Sequence, residues 1–360
     1  MIKQAENTRI EYLDALRGFT MTLVVLSHVA YMNLGINVGS NGNFHLYFSH
    51  FRLPIFFFIS GFLLYKPNFV WTTANIKSFL TKKIFVQIIS PTIFLLFFTH
   101  YKNISFLNAM TNAGKVGYWF TYALFNCFIL YIILKKTLDA IKLREDFSLL
   151  ILLFIGATLY YIPFYNILVD HNAPVKLLDF FLVGKMHYFF FFVFGVYIKK
   201  YFTKFEKILD TTSLISIAVI LFFALSFFGD HININAPYII TGLINKTTGI
   251  TLAISGIIIT LSFFRKNEKV FSGNNAVGNV LKFIGKRTLD IYLIHYFFLT
   301  PSLQKTFTFF AENKLPVLEF TVSLIMTAII IAASLFISSI LRFDNRMAHY
   351  LFGAKKEAKK

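Results

Sequence analysis

The sequence predicts an all-α, polytopic integral membrane bundle of about ten transmembrane helices, with both termini in the cytoplasm. The chain of 360 residues is 56% hydrophobic and only 14% charged, whereas soluble domains carry roughly 25% charged residues. Apolar stretches recur along the whole chain, and Lys and Arg cluster in every second connection between them. Composition, apolar windows and charge asymmetry therefore indicate the same class.

Each predicted span is an apolar window of about twenty residues, the length that a helix needs to cross the hydrocarbon core. The windows are 12–34, 51–66, 84–100, 117–135, 147–169, 186–202, 212–229, 247–264, 288–304 and 317–341. We expect the lipid bilayer to surround these helices. The 47 phenylalanines suit packing between helices and against lipid.

The orientation of the bundle follows from its basic residues. With the N-terminus inside, 27 of the 35 Lys and Arg residues fall on the cytoplasmic side, as the positive-inside rule requires. This excess accounts for the net charge of +18, so we expect no nucleic-acid partner. Because both termini are inside, the helix count is even.

The apolar windows leave no room for a separate soluble domain. We predict one integral membrane domain over 1–345 and a basic cytoplasmic tail over 346–360. Cys127 is the only cysteine, which excludes an intrachain disulfide and a cysteine metal cluster. The sequence also carries no zinc signature and no phosphate-binding loop, so we predict no metal site.

Two ionisable residues in the first span point to function, because the bilayer makes charged groups expensive. His28 follows Arg17 by eleven positions, which brings the two side chains within about 20° of one direction and about 16 Å apart along the axis. Asp14 lies one turn before Arg17 on the same face and is placed to pair with it. The alternative is that Arg17 snorkels to the headgroups and His28 fills a packing site.

Four segments, in order, resemble motifs of the acyltransferase family 3 membrane proteins. The family's opening signature, a basic residue and then a histidine after ten positions, resembles YLDALRGFTMTLVVLSH. Its second-helix motif resembles FRLPIFFFISGFLLYK, with the Ser-Gly pair at Ser60 and Gly61. Its Trp-Phe helix resembles YWFTYALFNCFILY, and its late segment resembles FIGKRTLDIYLIHYF, with Gly285, Tyr292 and His295. The matches run from residue 9 to about 300, nearly the whole chain.

The resemblance implies a multi-helix transferase of the bacterial inner (cytoplasmic) membrane. Such an enzyme takes an acyl group, usually acetyl from cytoplasmic acetyl-CoA, and hands it to a hydroxyl of an extracytoplasmic glycan. The expected partners are therefore acyl-CoA, a glycan acceptor and the bilayer. The chain is similar to the stand-alone form of the family, which has no fused soluble domain.

The resemblance also implies a role for each candidate residue. His28 is the expected general base, since a neutral imidazole accepts the proton of an incoming hydroxyl. Asp14 is expected to orient Arg17, which would hold the phosphates of CoA together with Lys82 and Lys83.

The chain departs from the family pattern in one place. Many relatives carry two arginines around the start of the third helix, just before a proline. Here Lys82, Lys83 and Gln87 stand before Pro91. Lysine holds a phosphate as a point charge but lacks the bidentate fork of arginine.

On the outer side, we expect the acceptor to contact Arg52 and the loop around His45, although Arg52 also suits an outer membrane anchor. Acyl transfer needs a donor for the developing oxyanion, and the candidates are Ser60, a tyrosine or helix-terminal amides near Gly61. His295 is expected to be a packing residue. A direct pair with Asp290 is not expected, because five positions put the two about 140° from a common face.

Two other interpretations remain open. The same helices suit export or flipping of a glycan or lipid-linked sugar without acyl chemistry, because charged groups also mark transport pathways in membranes. A transferase with another acyl group, such as succinyl, fits the sequence equally well. A basic cytoplasmic end joined to a mid-membrane histidine on one helix face favours a transferase over a flippase.

The charge asymmetry predicts which loops an impermeant thiol reagent reaches from outside the cell. In a chain without Cys127, single cysteines placed in 136–146 or 265–285 should be shielded, because these loops carry the cytoplasmic basic residues. Single cysteines placed in 36–46 or 230–240 should react. Labelling of 265–285 in intact cells would reverse the orientation.

Overall fold

The computed structural model describes residues 10, 12–36, 44–228, 237–273, 275–299, 308–310, 312–313 and 315–354. Within these residues the chain is helical and contains no β-strand, which confirms the predicted all-α class. Parts of the predicted outer loops (37–43 and 229–236), the end of the predicted ninth span (300–304) and the last six residues of the predicted tail lie outside the described residues.

The α-helices are numbered in chain order. They are α1 Tyr12–His28, α2 Phe44–Ser49, α3 Arg52–Leu64, α4 Thr73–Ile84, α5 Ser90–Tyr101, α6 Phe106–Met110, α7 Trp119–Ala140, α8 Glu145–Tyr161, α9 Phe164–Asp170, α10 Val175–Phe180, α11 Phe189–Lys200, α12 Phe202–Asp210, α13 Thr212–Phe228, α14 Tyr238–Lys266, α15 Glu268–Ser272, α16 Ala276–Lys286, α17 Thr288–Ile294, α18 Pro316–Leu341 and α19 Asn345–Phe352.

Within the described ranges, shorter helical turns of other types interrupt this series. Two π turns, Val29–Asn33 and Phe85–Ile89, continue α1 and join α4 to α5. Three 3₁₀ turns are Lys115–Gly117, Val183–Tyr188 and His295–Phe298. Residues on three of these turns, 85–89, 115–117 and 295–298, line the central cavity.

Seven of the predicted spans coincide with helical segments suited to a bilayer. Five uninterrupted segments in the described chain are long and apolar enough to cross it: Tyr12–Asn33, Phe44–Leu64, Thr73–Tyr101, Ile239–Lys266 and Pro316–Leu341. Two bent pairs, α8 with α9 and α12 with α13, bring the number to seven if each pair counts as one span. The windows 117–135, 186–202 and 288–304 fall on helices outside this set. Ten spans, and the sides on which the termini lie, therefore stay predictions.

Close glycine contacts set the packing of α1 against α16. A Cβ atom at Gly18 would overlap the carbonyl oxygen of Leu281, and one at Gly285 would overlap the carbonyl oxygen of Asp14. Glycine at both contacts lets the two backbones approach, which is how membrane helices gain packing without a hydrophobic driving force. The helix that carries Arg17 and His28 is therefore fixed against the segment that leads into α17.

The same device joins α3 to α11. A Cβ atom at Gly61 would overlap the carbonyl oxygen of Phe192, and one at Gly195 would overlap that of Phe58. Glycine at Gly61 and Gly195 thus lets these two helices pack closely. This contact fixes the helix that begins with Arg52.

An ion-pair cluster around Asp290 fixes α17 against α18. The carboxylate of Asp290 is 1% exposed and accepts from Nε and Nη2 of Arg342 at 2.6 and 2.8 Å. Nη1 of Arg287 and the hydroxyl of Ser338 donate to the same carboxylate. Two guanidinium groups compensate the cost of burying this carboxylate. The turn that follows α17 therefore begins at a helix that is held firmly against α18.

The last described helix, α19, packs back onto the bundle. Phe352 is buried against Phe94, and the guanidinium of Arg342 lies 4.7 Å from the Phe352 ring centroid. Asp344 caps the helix: the backbone N–H groups of Met347 and Arg346 donate to its carboxylate and lower its pKa. The described part of the predicted basic tail is thus a docked helix, while the domain boundary at 345 stays a prediction.

The glycine contact between α3 and α11 predicts a stability change. Gly61→Ala should lower the thermal unfolding temperature in nanodiscs, because its Cβ atom overlaps a backbone carbonyl and overpacking costs typically about 1–3 kcal/mol. Gly242→Ala is the matched control, since no atom lies within 4 Å of a Cβ there, and it should leave the temperature unchanged or raise it. Equal temperatures for Gly61→Ala and the wild type would contradict the tight contact.

Candidate functional site

A cavity of about 610 Å³ lies between α1, α3, α4, α7 and α17. Five of the candidate residues from the sequence line it: Arg17, His28, Arg52, Ser60 and Lys83. The helix phase that put Arg17 and His28 on one face is thus preserved, because α1 is regular from Tyr12 to His28 and its π turn begins only at Val29.

One end of the cavity is basic. Arg17, Lys66 and Lys83 line it, beside the aromatic rings of Trp71 and Phe79. Lys83 is close enough to Arg17 for their charges to interact. Several cations around one opening, with no carboxylate among the described lining residues, favour an anionic ligand.

Two contacts define the cations at this end. Nη1 of Arg17 lies 3.8 Å from Oδ1 of Asp14, as the sequence predicted. Nζ of Lys83 lies 4.3 Å from the ring centroid of Phe128, which places the ammonium over an aromatic face. Lys82 is exposed, and both Lys82 and Asp14 lie outside the lining of the cavity. Their proposed roles stay predictions.

Toward the other end of the cavity, His28 meets a second histidine. Nδ1 of His28 lies 3.0 Å from Nε2 of His295, and the two rings are nearly parallel, with 4° between their planes. His295 is 0% exposed, and its Nδ1 lies 2.9 Å from the carbonyl oxygen of Ile291. The sequence interpretation of His295 as a packing residue missed this contact.

These distances fix the protonation of both neutral rings. A carbonyl oxygen only accepts hydrogen bonds, so Nδ1–H of His295 donates to Ile291 and its Nε2 is left as an acceptor. Nδ1–H of His28 then donates to that acceptor. The lone pair of His28 is left on Nε2, the ring nitrogen free to take a proton. Histidines oriented by a second group in this way are typical of general bases.

A tyrosine cluster fixes the surroundings of the histidine pair. Tyr292 and Tyr296 both donate to the carbonyl oxygen of Gly117 at 3.0 Å, and Tyr118 donates to that of Leu293 at 2.9 Å. The ring of Tyr296 lies 5.2 Å from that of His28.

The turn under these tyrosines has an unusual backbone. Val116 has φ 49° and Gly117 has φ 102°, a conformation that a β-branched residue adopts only at a cost in free energy. A Cβ atom at Gly117 would overlap the ring of Tyr296, so glycine is required there. Held strain of this kind is common next to functional groups.

Ser60 lines the cavity, but its hydroxyl is already used. It donates to the carbonyl oxygen of Phe56 at 2.8 Å, the usual contact of a serine within a helix. Its oxygen is left as an acceptor and not as an oxyanion donor.

Arg52, at the start of α3, also lines the cavity. It interacts electrostatically with His28, Tyr188 and Tyr296. Its Nη1 atom is buried and has no hydrogen-bond partner among the described residues. Arg52 thus lies at the histidine end of the cavity, and its role stays a prediction.

His45 and Gln87 complete the comparison with the sequence. His45 is 0% exposed, packs 5.7 Å from the ring of Phe320, and lies outside the cavity lining. Gln87 lines the cavity from a π turn, is 4% exposed, and has a buried Oε1 without a hydrogen-bond partner in the described chain. From the sequence, Gln87 is only a departure from the family pattern, and its place in the cavity wall is not predicted.

No group of three or more His, Cys, Asp or Glu residues in the described ranges is arranged to hold a metal ion. The polar side chains of the cavity wall are one histidine, two guanidiniums, two lysines, a carboxamide and five hydroxyls, and a second histidine contacts the first from behind the wall. This set suits binding of an anionic ligand at one end and proton transfer at the other.

Comparison with known proteins gives one family. The model of the acyltransferase family 3 domain, described as "Acyltransferase domain", matches residues 10–341, nearly the whole chain. No curated protein and no solved structure matches the chain. Because the family model covers both the Arg17–His28 helix and the Tyr292–His295 segment, the chain belongs to acyltransferase family 3 and is a membrane acyltransferase.

Proposed function

We propose that the protein moves an acyl group, acetyl in the first instance, from cytoplasmic acyl-CoA to a hydroxyl of an extracytoplasmic or surface glycan. The observation that carries the proposal is a single cavity that joins a basic end to an oriented histidine pair. Acyl-CoA needs both parts: cations for its phosphates and a base beside its thioester. The expected location is the inner (cytoplasmic) membrane of a bacterium.

The basic end receives the phosphates of CoA. Arg17 supplies the guanidinium, and Lys66 and Lys83 add point charges on the same wall. Exposed Lys82 lies on the same helix as Lys83 and contributes at the rim. Asp14, 3.8 Å from Arg17, holds the guanidinium in place.

The pantetheine arm spans the distance to His28, about 16 Å by the rise of an α-helix. This arm carries two amide N–H groups that lose water when they enter an apolar cavity. Gln87 offers an unpartnered buried oxygen along the route, and a buried acceptor left unsatisfied costs about 1–3 kcal/mol. Pairing with a pantetheine amide would satisfy both groups.

The thioester then lies beside His28, and the acceptor hydroxyl approaches from the other side. Nε2 of His28 takes the hydroxyl proton as the oxygen attacks the carbonyl carbon, and later returns a proton to the leaving thiolate of CoA. His295 accepts from Nδ1–H of His28 and stabilises the imidazolium between these two steps. His295 is thus a positioning residue.

Export of a glycan without chemistry remains the competing function. It needs a polar path, but neither a fixed histidine tautomer nor a cluster of cations at one end. A succinyl donor would leave the same machinery in place and change only the acyl pocket.

Binding of CoA tests the basic end. CoA should raise the thermal unfolding temperature of the purified protein in nanodiscs, since a ligand that binds only the folded state stabilises it. Arg17→Ala should weaken CoA binding by roughly one to two decades, because a charge-assisted contact contributes roughly 1.5–3 kcal/mol. Lys176→Ala removes an exposed cation elsewhere and should keep the full shift. If millimolar CoA does not shift the wild type while glycan crosses vesicles unmodified, the exporter replaces the transferase.

The histidine pair predicts a non-additive pattern of activity. His28→Ala should lower transfer of labelled acetyl to glycan roughly 10²–10⁴-fold, the usual contribution of a general base, and leave the CoA-induced thermal shift intact. His295→Ala should lower transfer less. The double variant should be no slower than His28→Ala, because the two residues act as one unit. The exposed His100→Ala is the control. Wild-type acetylation in His28→Ala cells, measured by mass spectrometry of the glycan, would remove His28 from the mechanism.

A further inference from the structure

We propose that the guanidinium of Arg52 receives the carbonyl oxygen of the acyl thioester and stabilises the oxyanion that forms there. The inference rests on the proposed function and adds the electrophilic half of the catalytic centre. From the sequence, Arg52 is expected to contact the glycan acceptor or to anchor at the membrane surface, and several groups remain candidates for the oxyanion donor.

The hydroxyl groups of the cavity wall are not available for this task. All five of them in the described lining donate to backbone carbonyl oxygens: Ser60, Thr121, Thr288, Tyr292 and Tyr296. A hydroxyl has a single proton to donate. Each would have to break its present hydrogen bond before it could turn to an oxyanion.

Arg52 has the free donor that these hydroxyls lack. Its Nη1 is buried without a hydrogen-bond partner in the described chain, and no Asp or Glu of the described residues forms an ion pair with it. Its charge interacts with Tyr188 and Tyr296. A buried guanidinium without a counter-ion is costly, and in membrane proteins such a charge indicates a functional partner.

The position of Arg52 matches the chemistry. Arg52 lines the same cavity as His28, and the two residues interact electrostatically. Lys66, just beyond the other end of α3, belongs to the basic end. Arg17 and Lys83 are also at that basic end, about three helical turns from His28 along α1. Arg52 is therefore the cation placed to act at the reacting carbonyl.

The acyl transfer step balances in atoms and electrons with His28 as the base and Arg52 as the oxyanion donor. The acceptor O–H gives its proton to Nε2 of His28, and its oxygen forms a bond to the carbonyl carbon. The electron pair of the C=O double bond moves onto oxygen, where N–H groups of Arg52 face the negative charge. When that pair returns, the C–S bond breaks and the thiolate of CoA takes the proton from His28. An ester and free CoA result.

Arg52→Gln and Arg52→Lys test the assignment in purified protein given labelled acetyl-CoA and glycan extracted from cells that lack the gene. Arg52→Gln should lower the maximal rate roughly 10²–10³-fold, as loss of an oxyanion donor does, with less than a threefold change in the apparent KM for acetyl-CoA. Arg52→Lys, which keeps the charge, should lose less. Lys185→Gln removes a cation that lies 4.7 Å from the ring of Trp119, outside the cavity lining, and should retain the wild-type rate.

Stability separates a catalytic from a structural role. Because Nη1 is buried without a hydrogen-bond partner in the described chain, Arg52→Gln should unfold at the wild-type temperature or above, and should keep the CoA-induced shift. A fall in unfolding temperature together with loss of the CoA shift, in both variants, would make Arg52 a structural residue and overturn the proposal.

Each of the remaining outcomes assigns Arg52 a different role or overturns a proposal. Recovery of the Arg52→Gln rate at high glycan concentration would make Arg52 an acceptor contact. Loss of activity with succinyl-CoA alone, and not with acetyl-CoA, would make it a partner of the succinyl carboxylate. Full activity of Arg52→Gln overturns the oxyanion role and leaves the transferase in place. Absence of transfer by the wild type from either donor would overturn the proposed function itself, and with it this inference.

Discussion

The hydrogen bond between Nδ1 of His28 and Nε2 of His295 joins residues 267 positions apart in the chain. Several packing contacts around it hold the two rings in position. Each ring needs a fixed place, because a histidine acts as an oriented base only when its other nitrogen is held. Glycine contacts fix α1 against α16. The Asp290 cluster fixes α17 against α18 just before His295. A third contact fixes the segment that carries His295 against the strained turn at Gly117, because Tyr292 and Tyr296 both donate to the carbonyl oxygen of Gly117.

A second constraint comes from the bilayer, in which each charged group must find a partner, water or a ligand. The chain meets this constraint in two ways. Most ionic groups that support the fold are paired, as Asp290 is with Arg342 and as Arg265 is with Glu206 and Asp210. The cations of the cavity, by contrast, outnumber the carboxylates on its wall. That difference separates charges that hold the structure together from charges that, in the proposed function, bind a ligand.

The sequence predicts those parts of the site that depend on a single helix. The phase of α1 put Arg17, His28 and Asp14 on one side, and this holds because the π turn starts only after His28. The order of the motifs also predicted the family. By contrast, helix phase within the late segment showed only that Asp290 and His295 point apart. It carried no information on the contact between His28 and His295, which depends on how distant helices cross.

The same limit applies to Arg52 and Gln87. From sequence, an arginine near the end of a span resembles any snorkelling anchor. Its interpretation changes only with the structure, in which Arg52 lines the cavity and its Nη1 has no hydrogen-bond partner among the described residues. Gln87 lies in a π turn, where the α-helical period no longer gives the direction of a side chain. A change of helix type beside a ligand cavity is common, and hydrophobic pattern alone did not predict it.

The two ends of the cavity require different things of their cations. In the proposed function, phosphates bring several negative charges that persist throughout the reaction, and the basic end would hold them with lysines and with Arg17, which already has Asp14 beside it. An oxyanion exists only between attack and collapse. A cation that serves it should have no carboxylate partner, because a resident counter-ion would bind it in the ground state and cancel its preference for the transition state. In this proposal, the buried Nη1 of Arg52, which has no hydrogen-bond partner among the described residues, is unfavourable for folding but is what a donor to the oxyanion requires.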